Sequence, residues 1–122
     1  MEDSILTTVK KLLGLTDQYT VFDADIILYI NAVLNIMEQM GFPVPAGFTV
    51  VDYDETWSQL VQDLPMMNLV KPYIAFRVRK MFDPPTSTIV NETLQRQIDE
   101  LEWRMNLVVD DHSFELEGEA DE

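Results

Sequence analysis

The chain has 122 residues, a formal net charge of −14, an apolar fraction of 47% and no cysteine. This length is typical of a single domain with one hydrophobic core. The lack of cysteine excludes disulfides, thiolate nucleophiles and Cys-ligated zinc. No apolar run approaches the roughly 18 residues of a membrane-spanning helix, and the first residues are acidic where a signal peptide is basic. We therefore expect a soluble protein.

The acidic residues are concentrated at the C-terminal end. Residues 110–122 contain seven of the 22 acidic residues, no Lys or Arg, and few apolar residues. We expect a helical domain over residues 1–109 and an acidic tail over residues 110–122 that is disordered in isolation. Because proteins grip nucleic acids mainly through Lys and Arg at the phosphates, the charge balance argues against a protein that holds DNA.

Two helices are predicted in the first third of the chain. Residues 4–13 have apolar positions three and four apart before Gly14, which predicts a short first helix. A second helix is predicted over residues 24–40, with Asp23 as its cap. Its apolar face is wide, so we expect it to be central to the core. The Gly- and Pro-rich stretch that follows, residues 41–53, is predicted to be a loop, in which residues 48–53 could form a brief extended segment.

A third and a fourth helix are predicted between residues 54 and 82. Asp54 is the expected cap of a helix over residues 55–62. Pro65 suits the first turn of a helix that runs to Phe82. Because Pro72 lacks an amide hydrogen, we expect a kink or a restart of this helix near Lys71.

The last helix is predicted from about residue 87 to Val109. Leu94, Ile98, Leu101 and Met105 follow each other at four, three and four residues, a narrow apolar seam that needs a partner surface. The fold class is therefore all-α. We expect four to five helices in a small bundle with a long C-terminal helix and a flexible acidic tail.

No catalytic, metal or cofactor site can be assembled from the sequence. His112 is the only histidine, and it has no plausible nucleophile beside it. There is no Gly-rich phosphate loop. None of the acidic clusters has the spacing of an EF-hand loop or a neighbouring histidine, so helix capping and solvation explain them better than metal binding. These clusters are Asp23 with Asp25, Asp52 with Asp54 and Glu55, and Asp110 with Asp111.

Basic residues crowd one stretch of the fourth helix, where Tyr73 and Phe76 lie among Lys71, Arg77, Arg79 and Lys80. They could form an anion-binding strip, or they could pair with carboxylates within or between subunits. Pairing is the favoured interpretation in so acidic a chain. A basic strip on one segment and an acidic tail on another can steer identical copies into head-to-tail contact.

Two short motifs in the second half of the chain resemble a known family. They are Phe82-Asp83-Pro84-Pro85-Thr86-Ser87 and Glu102-Trp103-Arg104. Together with the order of the helices, they resemble the head-tail connector, or adaptor, proteins of tailed bacteriophages over about residues 4–108. The resemblance implies a non-catalytic, all-helical virion subunit at the head-tail interface. In that family about a dozen copies form a ring beneath the portal and carry the next neck or tail component.

The charge split and the long last helix suggest where such a subunit would make its contacts. The ring contact is expected on the fourth helix, where Lys71, Arg77, Arg79 and Lys80 would meet carboxylates of the adjacent copy. DNA would pass through an acidic lumen without specific binding. The portal or the next neck protein would meet the end of the last helix and the tail, through Arg104, Asp110, Asp111, Phe114, Glu115 and Leu116.

A small acidic interaction protein is the alternative function, either a DNA-mimic inhibitor or a regulatory module. A DNA mimic should array its carboxylates along an exposed face, whereas here seven of 22 lie in one tail. A regulatory module would be favoured by a stable monomer.

Overall fold

The computed structural model describes the backbone of residues 3–120 and the side chains of residues 3–108. Within that range the protein is all-α, as predicted, and its extended segments form only one isolated bridge, between Ser4 and Thr56. None of the helices in the described range is long and apolar enough to cross a membrane. The helices are α1 (Ile5–Leu12), α2 (Asp23–Gln39), α3 (Trp57–Leu60), α4 (Leu64–Phe82) and α5 (Thr88–Ala120).

Helix α4 is the centre of the bundle and packs against α1, α2 and α5. Its residues Val70, Tyr73, Ile74 and Val78 are fully buried. The spacing that predicted α2 and α5 is confirmed, because the repeated apolar positions of both helices enter the core. The core cluster takes Ile5, Leu6 and Val9 from α1, Ile26, Ile30, Val33 and Met37 from α2, Trp57 from α3, and Leu94, Ile98 and Met105 from α5.

The predicted cap of α2 is wrong. Phe22 occupies the N-cap position and makes no side-chain capping bond, and Asp23 is the first helical residue. The Asp23 carboxylate instead faces Lys10 at 2.7 Å. An ion pair with a buried ammonium is a stronger interaction than a capping bond, and it takes the carboxylate away from the helix end.

The predicted cap of α3 is also wrong. The helix begins at Trp57 rather than at residue 55, because Thr56 and Gln59 form a capping box in which the Thr56 amide donates to Gln59 Oε1 at 3.1 Å. The next helix begins as its sequence suggests. The Asp63 side chain caps α4 by accepting the Met66 amide at 3.1 Å, and Pro65 lies in the first turn.

Pro72 lies inside α4 without ending it, so the restart expected near Lys71 does not occur. The proline leaves the carbonyl of Asn68 without its usual helical donor. Asn68 is exposed, so water can reach this part of the helix. Buried residues on both sides of Pro72 then hold the two halves of α4 in one helix.

Helix α5 begins one residue after the predicted start and continues to Ala120, past the end predicted at Val109. The tail residues Asp110, Asp111, Phe114, Glu115 and Leu116 lie outside the described side chains. Their partner-binding role and the disorder of the tail in isolation stay predictions.

Candidate protein interaction surfaces

Arg77, one of the four expected contact residues, is engaged inside its own chain. Its Nη2 atom lies 2.6 Å from Glu102 Oε2 on α5, and its Nε–H donates to the Tyr73 hydroxyl at 3.1 Å. The Tyr73 hydroxyl donates to the same Glu102 oxygen at 2.7 Å. Burial, together with the bond to Glu102, raises the pKa of Tyr73 to about 12. This triad joins α4 to α5.

The other three basic residues of α4 differ in whether they contact a partner in their own chain. Lys71 lies over the Trp57 ring, with its Nζ 5.7 Å from the ring centroid. Lys80 donates to Gln95 of α5. Arg79 is exposed, and among the described residues it makes no ion pair or side-chain hydrogen bond. The four residues therefore do not form a continuous anion-binding strip, and Arg79 is the one whose cation faces solvent.

A groove of about 250 Å³ runs along the junction of α4 and α5. Its apolar walls are Leu69, Pro72 and Phe76 of α4 and Leu101 of α5, and Gln97, Glu100 and Arg104 complete its lining. Small-molecule sites are usually concave pockets of about 300–1,000 Å³. This smaller, shallow groove is better suited to one or two side chains of a protein partner.

One arginine lines the groove, and the helical spacing places a second beside it on α4. Arg104, expected to belong to the partner-binding tail, lies in the lining and pairs with Glu100 of its own helix at 2.8 Å. Both side chains of this pair are more than half exposed, so the pair contributes little to stability. Arg79 follows Pro72 and Phe76 by seven and three residues, which places it on the same flank of α4.

Large apolar side chains are exposed on two helices. Val21, just before α2, is 70% exposed, and Leu28, on the outer side of α2, is 65% exposed. Trp103, on the side of α5 that faces away from α4, is 61% exposed, and Ile89 and Leu107 lie on that same side. A single exposed apolar residue is ordinary. Exposed Trp, however, is enriched among the residues that dominate protein interfaces.

The sequence did not reveal the most buried charge in the molecule. The Lys10 side chain is fully buried, and its ammonium contacts Asp23 and the Tyr53 hydroxyl, each at 2.7 Å, and the Tyr19 carbonyl at 2.8 Å. The one available signal was position, since Lys10 follows Leu6 by four residues and so shares the buried face of α1. Its contacts join α1 to the α1–α2 loop through Tyr19, to the start of α2 through Asp23, and to the α2–α3 loop through Tyr53.

The acidic clusters within the described residues serve the fold. Glu55 Oε1 accepts the amides of Val51 and Asp52, and Asp52 Oδ1 accepts the amide of Asp54, so this cluster forms a turn. In the part of the chain with described side chains, no group of three or more His, Asp or Glu residues could hold a metal ion.

These features define a class of protein, a small all-α domain whose distinctive surfaces are a shallow apolar groove and exposed apolar helix faces suited to other proteins. Comparison with protein families agrees with this class. The family model described as phage connector protein matches residues 5–112, and the chain therefore belongs to the phage connector protein family. No curated protein and no solved structure compared with the chain gave a match.

Proposed function

We propose that this chain is a head-tail connector subunit of a tailed phage, which forms a ring under the portal and links the DNA-filled capsid to the neck or tail. The observation that carries the proposal is the family match over residues 5–112. The described surfaces support it, because they are suited to packing against other proteins. The role is structural, so no substrate, metal or cofactor is needed.

Arg79 is the basic residue of α4 best suited to a contact between copies. A cation without a partner in its own chain can pair with a carboxylate of a neighbour without breaking an existing bond. Arg77, by contrast, would have to give up Glu102 and Tyr73. Lys71 and Lys80 keep their contacts to Trp57 and Gln95 and lie beside the ring contact.

The outer face of α5 and the acidic tail are proposed to meet the portal or the next neck protein. Trp103 and Leu107 are exposed on this face, and the tail with its seven acidic residues follows a few residues later. An apolar anchor followed by a charged segment is typical of an interface in which the anchor supplies affinity and the charge supplies specificity.

The net charge of −14 supports passage of DNA through the ring. Carboxylates that face the lumen would repel the phosphate backbone, so the duplex would slide without sticking. Screening limits this repulsion to groups within about 8–10 Å of the DNA at physiological salt.

A nonsense allele of the gene in its phage tests the proposal. We expect cells infected with the mutant to accumulate DNA-filled heads and separate tails, and a plasmid copy of the wild-type gene to restore tailed particles. Formation of infectious tailed particles without the protein would overturn the proposal. It would favour a regulatory or DNA-mimic role for this acidic chain.

A further inference from the structure

We propose that Leu28 of one copy inserts into the α4–α5 groove of the next copy, so that two unlike surfaces of the same chain form the contact that closes the ring. This inference rests on the proposed function and names the surfaces by which the copies would meet.

The first surface is the outer stripe of α2. Exposed residues recur along it at intervals of three and four, and none of them is charged, although a quarter of the chain is Asp, Glu, Lys or Arg. Leu28 projects from the middle of the stripe, with 65% of its surface exposed. An alanine lies one turn away on each side, which leaves room for a close approach of another helix. The stripe consists of Ala24, Leu28, Ala32, Asn35 and Gln39.

The second surface is the α4–α5 groove, which offers a hole for a projecting side chain, or knob, such as Leu28. Four apolar side chains surround it, namely Leu69, Pro72, Phe76 and Leu101. In coiled-coil packing, a projecting side chain fits into a hole formed by four residues of the facing helix. Here α4 supplies three of the four apolar residues and α5 the fourth. The volume of about 250 Å³ is suited to an aliphatic side chain and part of its neighbour.

Leu28 cannot fill the groove of its own chain. The opposite side of α2, with Ile26, Ile30 and Val33, is buried in the core, so Leu28 faces away from α4. A knob and a hole on different faces of one molecule make a heterologous contact, in which each copy offers its knob to one neighbour and its groove to the other. Such a contact closes into a ring when the rotation between copies permits.

Charge complementarity also favours a second copy as the occupant. The contacts Tyr73–Glu102 and Lys80–Gln95 align α4 and α5 antiparallel, so Arg104 and Arg79 lie toward opposite ends of the groove. Asp25 is exposed, lies three residues before Leu28, and makes no ion pair among the described residues. When Leu28 is seated, Asp25 reaches one of these two arginines.

Cysteine cross-linking in assembled particles tests the contact, since the native chain has no cysteine. The variants Leu28→Cys and Gln97→Cys are supplied in equal amounts during infection in place of the native protein. Both positions are exposed, so neither substitution disturbs the core. We expect mild oxidation of the particles to join position 28 of one copy to position 97 of another. A mixture of Leu12→Cys and Gln97→Cys is the matched control and should give no dimer.

The outcomes separate the contact from the function. A 28-to-97 dimer without the control dimer supports the contact. A dimer formed by Leu28→Cys alone shows that the same surface of two copies meets, which overturns the proposed contact. Particles that contain the protein at the neck but give no 28-to-97 dimer also overturn it while leaving the proposed function intact. Loss of Leu28→Cys copies from particles that still take up Leu12→Cys copies supports the contact, since Leu28 is the inserted residue. Native particles that lack the protein overturn the proposed function itself.

Charge exchange provides an independent test. Asp25→Arg should lower the yield of tailed particles about tenfold, the effect of losing one strong interface pair. Either Arg79→Asp or Arg104→Asp is then added to that variant. The substitution at the arginine that faces Asp25 should restore the yield, and it shows in which direction the two copies pack. Failure of both exchanges, with the isolated variants still folded by circular dichroism, would overturn the pairing.

Discussion

The ammonium of Lys10 lies 2.7 Å from Oδ1 of Asp23, and the lysine side chain is fully buried while the aspartate side chain is 18% exposed. The Tyr53 hydroxyl donates to the other Asp23 oxygen at 2.6 Å and accepts from Lys10. Burial alone would lower the pKa of Lys10 and raise that of Asp23. Their mutual hydrogen bonds and those to Tyr53 outweigh burial, so the pKa of Lys10 is raised and that of Asp23 is lowered.

Lys10→Met should lower the free energy of unfolding by about 3–5 kcal/mol, because it leaves the Asp23 carboxylate without its buried partner. Urea unfolding followed by circular dichroism measures the loss. Lys11→Met is the control: its pair with Asp3 has both side chains more than half exposed, so its removal should cost at most about 1 kcal/mol. Equal losses for the two variants would show that the buried pair does not stabilise the fold.

Stability should depend on pH through the same pair. Because the pKa of Asp23 is lower in the folded protein than its ordinary 3.8, its contribution is present above that value and is lost as the pH falls through the folded pKa. The pKa of Lys10 is raised above 10.5, so its contribution is lost only as the pH rises past that value. The stability difference between the native protein and Asp23→Asn should therefore be constant near neutral pH and shrink in acid. A difference that grows in acid would contradict this ionisation state.

Substitution of Arg77 should affect folding, whereas substitution of Arg79 should affect assembly. Arg77→Ala removes the partner of Glu102 and a bond to Tyr73, so we expect it to lower the free energy of unfolding by about 1–3 kcal/mol. Arg79→Ala should leave the urea midpoint unchanged and reduce incorporation of the protein into particles. The two assays are run side by side on both variants. Loss of stability in Arg79→Ala, or normal incorporation, would place the intersubunit cation elsewhere.

Deleting residues 110–122 should leave the urea midpoint nearly unchanged, since the last fully buried side chain of the described range is Met105. Attachment to heads should weaken, because the deletion removes seven of the acidic residues proposed to meet the portal or neck protein. Sedimentation of purified heads with the full or truncated chain measures attachment. Full binding by the truncated chain would exclude the tail from the contact.

Helical periodicity was enough to predict the architecture but not the polar contacts. The repeats at Ile26, Ile30, Val33 and Met37 predicted the buried side of α2, because a 3.6-residue period depends only on local spacing. The Asp23 cap prediction failed because its real partner, Lys10, comes from another helix. The third member of that cluster, Tyr53, lies 43 residues from Lys10 along the chain.

The interaction surfaces were only partly predictable for the same reason. The basic residues of α4 were recognisable in the sequence, but only the folded chain distinguishes Arg77, paired with Glu102, from the exposed Arg79. The groove combines side chains about 30 residues apart, such as Pro72 and Leu101, so no local motif marks it. The exposure of Leu28 follows from how α2 packs on α4, which the local sequence does not mark.

The most direct test of the connector function is a cryo-electron microscopy reconstruction of the neck of intact phage particles. We expect density for the five helices of this chain, repeated around the axis as a closed ring between the portal and the next neck or tail component. Tailed, DNA-filled particles whose necks contain no copy of this chain would contradict it.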